Sequence, residues 1–250
     1  MRVAHDWSRP MKACVKSFFR LCGLEVSRCS PFEHYGWLRE WKIRTILDIG
    51  ANVGQFASQM HRLLPDAGIY SFEPLEDCYR QLTKTMEGVE AFRAFNLALG
   101  DKSGREQIYR NDFTPSSSLL PMDGQLARSF PFAASVTPLQ IEITRLDDLA
   151  EELALEQPIL MKIDVQGMED KVLLGGENVL AQTSILIVET SFRTLYKGQA
   201  LFDRIYRLLG DRGFIFMGSE HNIRDPQDGK VLQADSVFIR QNETSVDSAG

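Results

Sequence analysis

The sequence predicts an α/β fold: a doubly wound sheet of seven strands, mostly parallel, with an antiparallel strand at its C-terminal end. Three observations predict it. From Thr45 onward, short apolar runs alternate with helical segments, the pattern of strands joined by crossover helices. The first run, Thr45-Ile46-Leu47-Asp48-Ile49, breaks at Gly50, and Gly54 follows four residues later where a helix begins. Near the C-terminus two apolar runs follow one another with no helix between them, which predicts a final hairpin.

Residues 1–44 read as a helical extension. Met11–Leu21 sets bases beside an apolar face. Such a helix packs on the domain, the favoured reading, or rests on an anionic membrane surface as a weak peripheral contact. Ser30-Pro31-Phe32-Glu33 has the form of a capping box with proline at the first helical position, opening a helix through Trp41. Strand 45–49 leads into helix 54–64, and strand 68–73 into helix 75–86, where Pro74 fits the first turn because its missing N–H costs nothing there. Further strands follow at 89–95, 158–164 and 183–189, then helix 199–209, strand 213–217, a turn near Asp228-Gly229 and a last strand at 235–240. The domain thus covers 45–240, and the polar tail 241–250 is expected to be disordered.

Residues 101–145 interrupt the alternation with Ser, Pro and Gly and with strand-like pieces at Arg105–Tyr109 and Leu139–Ile143. An insertion between the third and fourth strands lies at the carboxyl edge of the sheet, where ligands bind. It is therefore assigned to substrate binding.

Composition narrows the function classes. A chain of 250 residues with 44% hydrophobic and 25% charged residues is ordinary for a globular domain. A net charge of −6 argues against a general nucleic-acid binder, which needs a basic face. No apolar run is long enough to span a bilayer, and the N-terminus lacks the continuous apolar segment of a secretion signal. Cys14, Cys22, Cys29 and Cys78 have no C-x-x-C spacing, so they read as reduced thiols of a cytoplasmic protein.

The chemistry concentrates where strands end. Asp48 is an acid in an apolar strand, and an unpaired buried charge is expensive, so a partner or ligand is expected there. A tight βα turn with an incidental acid is the plainer alternative. Glycine turns of this type hold either dinucleotides, through G-x-G-x-x-G, or S-adenosylmethionine. This chain reads D-x-G-x-N-x-G. It lacks the third glycine, and its acid would repel a pyrophosphate but suits a cationic ammonium and sulfonium. That favours S-adenosylmethionine over NAD. Glu73, about 20 residues further on at the end of strand 68–73, is placed to bond ribose hydroxyls. It also suits the dipole of the following helix. Asp164 and Glu189 end the next two central strands, and Glu169 opens a helix after Gly167. Such acids suit ligand ammonium and hydroxyl groups or a divalent cation. No metal is assigned.

These segments together resemble the FkbM family of S-adenosylmethionine-dependent methyltransferases. The carriers are LDIGANVGQF (47–56), SFEPL (71–75), NLALGDKSG (96–104), SSSLLP (116–121), RLDDL (145–149), MKIDVQGMEDKVLLGG (161–176), ETSFRTLYKGQ (189–199) and LQADSVFIR (232–240). Gln166 departs from the glutamate that many relatives carry there, which weakens any role needing a carboxylate at that position. The resemblance implies a class I methyltransferase (Rossmann-like) fold and O-methylation of a hydroxyl on a sugar, glycan or natural product, as in polysaccharide biosynthesis. The implied acceptor is a small molecule or glycan and not a nucleic acid.

On this reading Asp48, Gly50, Ala51, Asn52, Gly54 and Phe56 shape the methionine end of the cofactor site, Glu73 and Pro74 the ribose end, and Asn96, Leu97 and Ala98 the adenine border. Asp164, which also faces the cofactor, is the first candidate for base or acceptor-orienting group, with Glu189 and His221 behind it; for His221 a lone surface histidine is the favoured reading. Ser116, Ser117 and Ser118 either bond the acceptor or form a simple polar loop, and Tyr196 either stacks on a sugar or packs beside the fifth strand. The competing classes are an NAD-dependent oxidoreductase and a binding module that keeps the cofactor without turnover.

Overall fold

The structure, a computed structural model, describes residues 35–111, 118–120, 136–225 and 227–241. The basic segment Met11–Leu21, the capping box at Ser30, Ser116, Ser117 and the tail beyond Gln241 lie outside the described residues. Where the helix through Trp41 is expected, the described residues form a 3-10 helix over Gly36–Trp41.

Ten strands and six α-helices follow among the described residues. They are β1 (Thr45–Ile49), α1 (Gln55–Leu63), β2 (Gly68–Phe72), α2 (Glu76–Thr85), β3 (Phe92–Phe95), β4 (Ala98–Leu99), β5 (Gly104–Asn111), β6 (Val136–Thr144), α3 (Leu146–Leu149), β7 (Ile159–Ile163), α4 (Glu169–Gly175), α5 (Glu177–Gln182), β8 (Thr183–Ser191), α6 (Phe202–Gly210), β9 (Phe214–Arg224) and β10 (Val231–Arg240). No helix among the described residues is long and apolar enough to cross a membrane.

The main sheet has seven strands in the order β3-β2-β1-β7-β8-β10-β9. β1, β2, β3, β7 and β8 pair in parallel, whereas β10 runs antiparallel to both β8 and β9. The final hairpin expected from the sequence is present, with one difference. Its second strand, β10, is inserted beside β8, and β9 takes the sheet edge. Burial fits the order: β10 carries an almost continuous buried run, while β9 buries only Phe214 and is otherwise half-buried or exposed, as an edge strand wet on one side is.

Every residue of β1 and β7 is buried, so both faces of the sheet centre are covered. Leu47, Ile49, Phe72, Met161, Ile163, Leu186 and Val188 join one core cluster. Each side chain of this size contributes about 2 kcal/mol through burial.

The described residues of the insertion contribute β5 and β6 to a second, smaller sheet, in the order β4-β6-β5. β5 and β6 pair antiparallel from Gly104↔Ile143 to Asn111↔Val136. Its apolar side, including Ile108, Ile141 and Ile143, packs with Leu75, Cys78 and Ala98. This seats β5 and β6 against the segment that follows β2.

Candidate functional site

A cleft opens at the carboxyl edge of β1, β2 and β7. Its walls include Gly50, Asn52, Glu73, Pro74, Leu97, Ala98, Asp164 and Gln166 from the sheet edge, with Ile108, Ser118 and Leu119 from the insertion. The mainly apolar lining with a few convergent polar groups is that of a small-molecule site.

The turn after β1 is locked from two sides. Gly50 and Ala51 donate backbone N–H bonds to Phe72 O, each at 3.0 Å. Gly50 has φ +84°, and a Cβ there would fall 1.9 Å from the Asp164 carbonyl oxygen. Its glycine is therefore required by close approach of the β7 end. At Gly54 (φ +90°) an added Cβ would meet Leu82 at 2.9 Å, so that glycine serves the packing of α1 on α2. Gly54 and the buried Ala51 shape the turn from behind.

Glu73 is 6% exposed and ties this turn to the next. Its Oε2 accepts the Asn52 N–H and its Oε1 the Leu75 N–H, both at 2.8 Å. Burial pushes its carboxyl up to about 7 against these bonds, which pull it down. Asn52 sits in the left-handed region at φ +49°, and its Oδ1 is buried without a hydrogen-bond partner. An orphaned acceptor beside a carboxylate with spare lone pairs fits a ligand bearing hydroxyl and amino donors. Asn96 is turned differently from the expectation. Its Nδ2 donates to the backbone oxygens of Glu73 and Pro74, at 2.9 and 3.2 Å. Leu97 and Ala98 line the cleft, while Asn96 pins the turn that carries Glu73.

Asp48 is fully buried and faces protein. It accepts a hydrogen bond from Ser71 Oγ at 3.3 Å and lies opposite Lys162 in the β1–β7 register. Burial pushes its carboxyl up to about 6, and Lys162 opposes the shift. Phe56, also buried, lies beneath the same ammonium, 5.5 Å from ring centroid to Nζ. Neither lines the cleft. Both reach a ligand only through what they hold.

Lys162 is the residue that sequence reasoning passed over. It is 8% exposed in the middle of an apolar strand, the same signal that singled out Asp48. Its Nζ lies 3.0 Å from Asp164 Oδ2. Burial works against its charge, but Asp164, Asp48 and Asp235 more than compensate and hold its pKa above the usual lysine range. Burial likewise pushes Asp164 up, yet Lys162 and Gln166 outweigh it and keep the carboxyl below the usual range.

The structure brings Glu189 beside Asp164. Gln166 Nε2 donates to Asp164 Oδ1 at 2.9 Å and to Glu189 Oε2 at 2.5 Å, and Gln233 Nε2 adds 2.8 Å to the same Glu189 oxygen. Burial, then Asp164, Glu169 and Asp235, push Glu189 well above the carboxylate range. Glu169 turns back as a cap. Its carboxyl accepts the Gly167 N–H at 2.9 Å and the Val165 N–H at 3.3 Å. Burial pushes it up to about 7.

Two substrate expectations change. Tyr196 is 1% exposed and packs with Leu195 and Leu232. Its ring cannot stack on a sugar, and its hydroxyl donates to Gln166 Oε1 at 2.7 Å. Ser118 does line the cleft, but its hydroxyl donates to the Gln166 carbonyl oxygen, which fastens the insertion to the β7–α4 turn. His221 stands apart from the cleft. It is half-exposed on β9, with Nδ1 3.2 Å from Asp235 Oδ2.

The model of the family described as "Methyltransferase FkbM domain" matches residues 48–216. The chain belongs to the FkbM methyltransferase family. It is similar to the 2-O-methyltransferase NoeI of Sinorhizobium fredii, with 30% identity over 66% of this chain and 70% of that protein. It is similar also to the hexuronic acid methyltransferase AglP of Haloferax volcanii, with 28% identity over 57% of this chain and 54% of that protein. Among solved structures, an FkbM methyltransferase from Methylobacillus flagellatus shares the fold. The TM-score is 0.50 at 13% identity, covering 83% of this chain and 46% of that one. As an FkbM methyltransferase the chain uses S-adenosylmethionine as methyl donor, and the class I methyltransferase fold expected from the sequence is the one observed. This sets aside the nicotinamide alternative.

Proposed function

We propose that this FkbM methyltransferase transfers a methyl group to a hydroxyl oxygen of a sugar, glycan or natural product. One observation carries the reading: the ion-paired carboxylate of Asp164 lies on the wall of the donor cleft, where the insertion also comes in. The names of its relatives, a 2-O-methyltransferase and a hexuronic acid methyltransferase, support a hydroxyl acceptor on a sugar.

Glu73 and Asn52 hold the donor's ribose and neighbouring polar groups, Leu97 and Ala98 border its base, and the Gly50 turn lets its methionine portion approach the sheet edge. Bound S-adenosylmethionine supplies an electrophilic methyl group on a sulfonium. The chain's own part is to hold the acceptor oxygen in line, exclude water and receive one proton. Positioning alone contributes several kcal/mol to such a displacement. The insertion closes one side with Ile108 and Leu119. Asp164 accepts a hydrogen bond from the acceptor hydroxyl and takes its proton as the carbon–oxygen bond forms. A hydroxyl oxygen that has gained a carbon becomes a far stronger acid than any carboxylic acid, so an ion-paired carboxylate is basic enough. Glu189, held beside Asp164 with its carboxyl well above the usual range, stays neutral and puts no second negative charge beside the carboxylate that takes the proton.

The test is transfer of labelled methyl from S-adenosylmethionine to a panel of uronic acids, oligosaccharides and polyols, with amines and thiols as counter-panel. Label on an oxygen, lost in Asp164→Asn, is expected. Label only on nitrogen or sulfur would sink the reading.

A further inference from the structure

Gln166 occupies an unusual backbone position. It has φ +54°, and its side chain and carbonyl together take part in four hydrogen-bonding contacts. The carboxamide nitrogen donates to Asp164 and to Glu189, at 2.9 and 2.5 Å. The carboxamide oxygen accepts the Tyr196 hydroxyl at 2.7 Å. The main-chain oxygen accepts Ser118 from the insertion. A left-handed conformation costs a non-glycine residue about 1 kcal/mol or more, and it persists where surrounding contacts over-determine it.

The amide's orientation is decided by Tyr196. A glutamine side chain presents a donor on one side and an acceptor on the other. A phenol hydroxyl donating to Oε1 forces Nε2 toward the carboxylates. The phenol is itself fixed: Gln199 Oε1 accepts the Tyr196 N–H at 2.6 Å, Gln199 Nε2 donates to Ser191 Oγ at 2.8 Å, and burial holds the Tyr196 proton on its oxygen. We propose that Tyr196 and Gln166 are positioning residues: the phenol fixes the carboxamide, and the carboxamide clamps Glu189 to Asp164, which lies on the wall of the donor cleft. This rests on the reading above, in which those two acids serve the acceptor hydroxyl.

Two carboxyl groups at one site repel when both are ionised. A neutral amide that donates to both stabilises their charged forms without adding charge. Other groups acting on the pair are Lys162 on β7, Asp48 on β1, Glu169 on α4, Asp235 on β10 and, through Asp235, His221 on β9. Removing the amide leaves all of these in place, so its effect is separable from theirs.

The experiment is a carbon-13 NMR titration of the side-chain carboxyls in the full-length protein, with Asp164→Asn and Glu189→Gln providing the assignments. It needs no acceptor. Gln166→Leu removes both donors and is expected to raise the midpoints of Asp164 and Glu189 by about one pH unit. Gln166→Glu puts a third carboxyl between them and is expected to raise them further. Tyr196→Phe frees the amide to turn and is expected to raise the same two midpoints by a smaller amount. Midpoints in both Gln166 variants within about 0.2 pH unit of wild type, against the full unit expected, would overturn the clamp. Unmoved midpoints in Tyr196→Phe alone would overturn the part given to the phenol. If Gln166→Leu does not fold, the glutamate and phenylalanine variants decide. Calorimetry with S-adenosylhomocysteine on the same wild-type sample tests the donor site separately. Failure there counts against the cofactor reading and leaves the midpoints to judge the clamp.

Discussion

Lys162 Nζ lies 3.0 Å from Asp164 Oδ2, with Asp48 opposite the lysine on the neighbouring strand. One buried cation thus stands between the acid that ends β7 and the acid inside β1. Removing it leaves two carboxylates close together without compensation. Lys162→Met is expected to destabilise the protein by about 3 kcal/mol, at the low end of the range for breaking a buried pair, because the Asp164 side chain retains 31% exposure. Urea unfolding measures this. A loss below about 0.5 kcal/mol, the size of a surface pair, would contradict the arrangement.

Stability should fall as pH rises toward neutrality in the absence of ligand. The carboxyls of Asp48, Glu73 and Glu169 are raised to about 6, 7 and 7. A raised acid binds its proton more tightly in the native state, so the native protein holds more protons across the window between the unfolded and folded values. Stability therefore declines as pH climbs from about 4 to about 7. Glu169 alone accounts for up to about 3 kcal/mol of that decline. Thermal melts from pH 5 to 8 are expected to show a falling Tm. Glu169→Gln should flatten the slope, and an unchanged slope would refute the assignment to Glu169.

Binding of S-adenosylhomocysteine should strengthen over the same interval. Ribose hydroxyls donate, and a carboxylate accepts better than a carboxylic acid. With Glu73 raised to about 7, affinity is expected to rise from pH 6 to 8 and then level off. Glu73→Gln should weaken binding about tenfold, the equivalent of one charge-assisted hydrogen bond, and remove the pH dependence. Calorimetry in buffers of differing ionisation enthalpy would report the accompanying proton release.

Gly50 and Gly88 share φ +84° but differ in surroundings. At Gly88 an added Cβ meets nothing within 4 Å, whereas at Gly50 it meets the Asp164 carbonyl oxygen at 1.9 Å. Gly88→Ala is expected to cost about 1 kcal/mol from backbone strain alone. Gly50→Ala must also push β1 from β7 and is expected to cost at least about 3 kcal/mol more, as severe core disruptions do. Chemical denaturation of the two variants side by side would check this. Equal costs would show that the close approach does not matter.

Much of this was legible in the sequence. The alternating apolar runs located all seven strands of the main sheet, and the strand-ending acids pointed to Glu73, Asp164 and Glu189. These signals are local: a period of two, a glycine at a turn, a charge that interrupts an apolar run. The insertion's strands at Arg105 and Leu139 were legible for the same reason.

Only the tertiary structure decided what each of those residues touches. Lys162 carries the same signal as Asp48, yet its meaning depends on the β1–β7 register, which joins segments more than 100 residues apart. Gly50 is held to glycine by a carbonyl from β7, and Tyr196 is buried against Gln166 instead of facing a sugar. The sequence by itself determined which strands form and where their charges sit along the chain, because backbone periodicity and turn chemistry act between near neighbours. The packing of distant strands determined which charge faces which, because burial and hydrogen-bond pairing are settled only when the sheet closes around them.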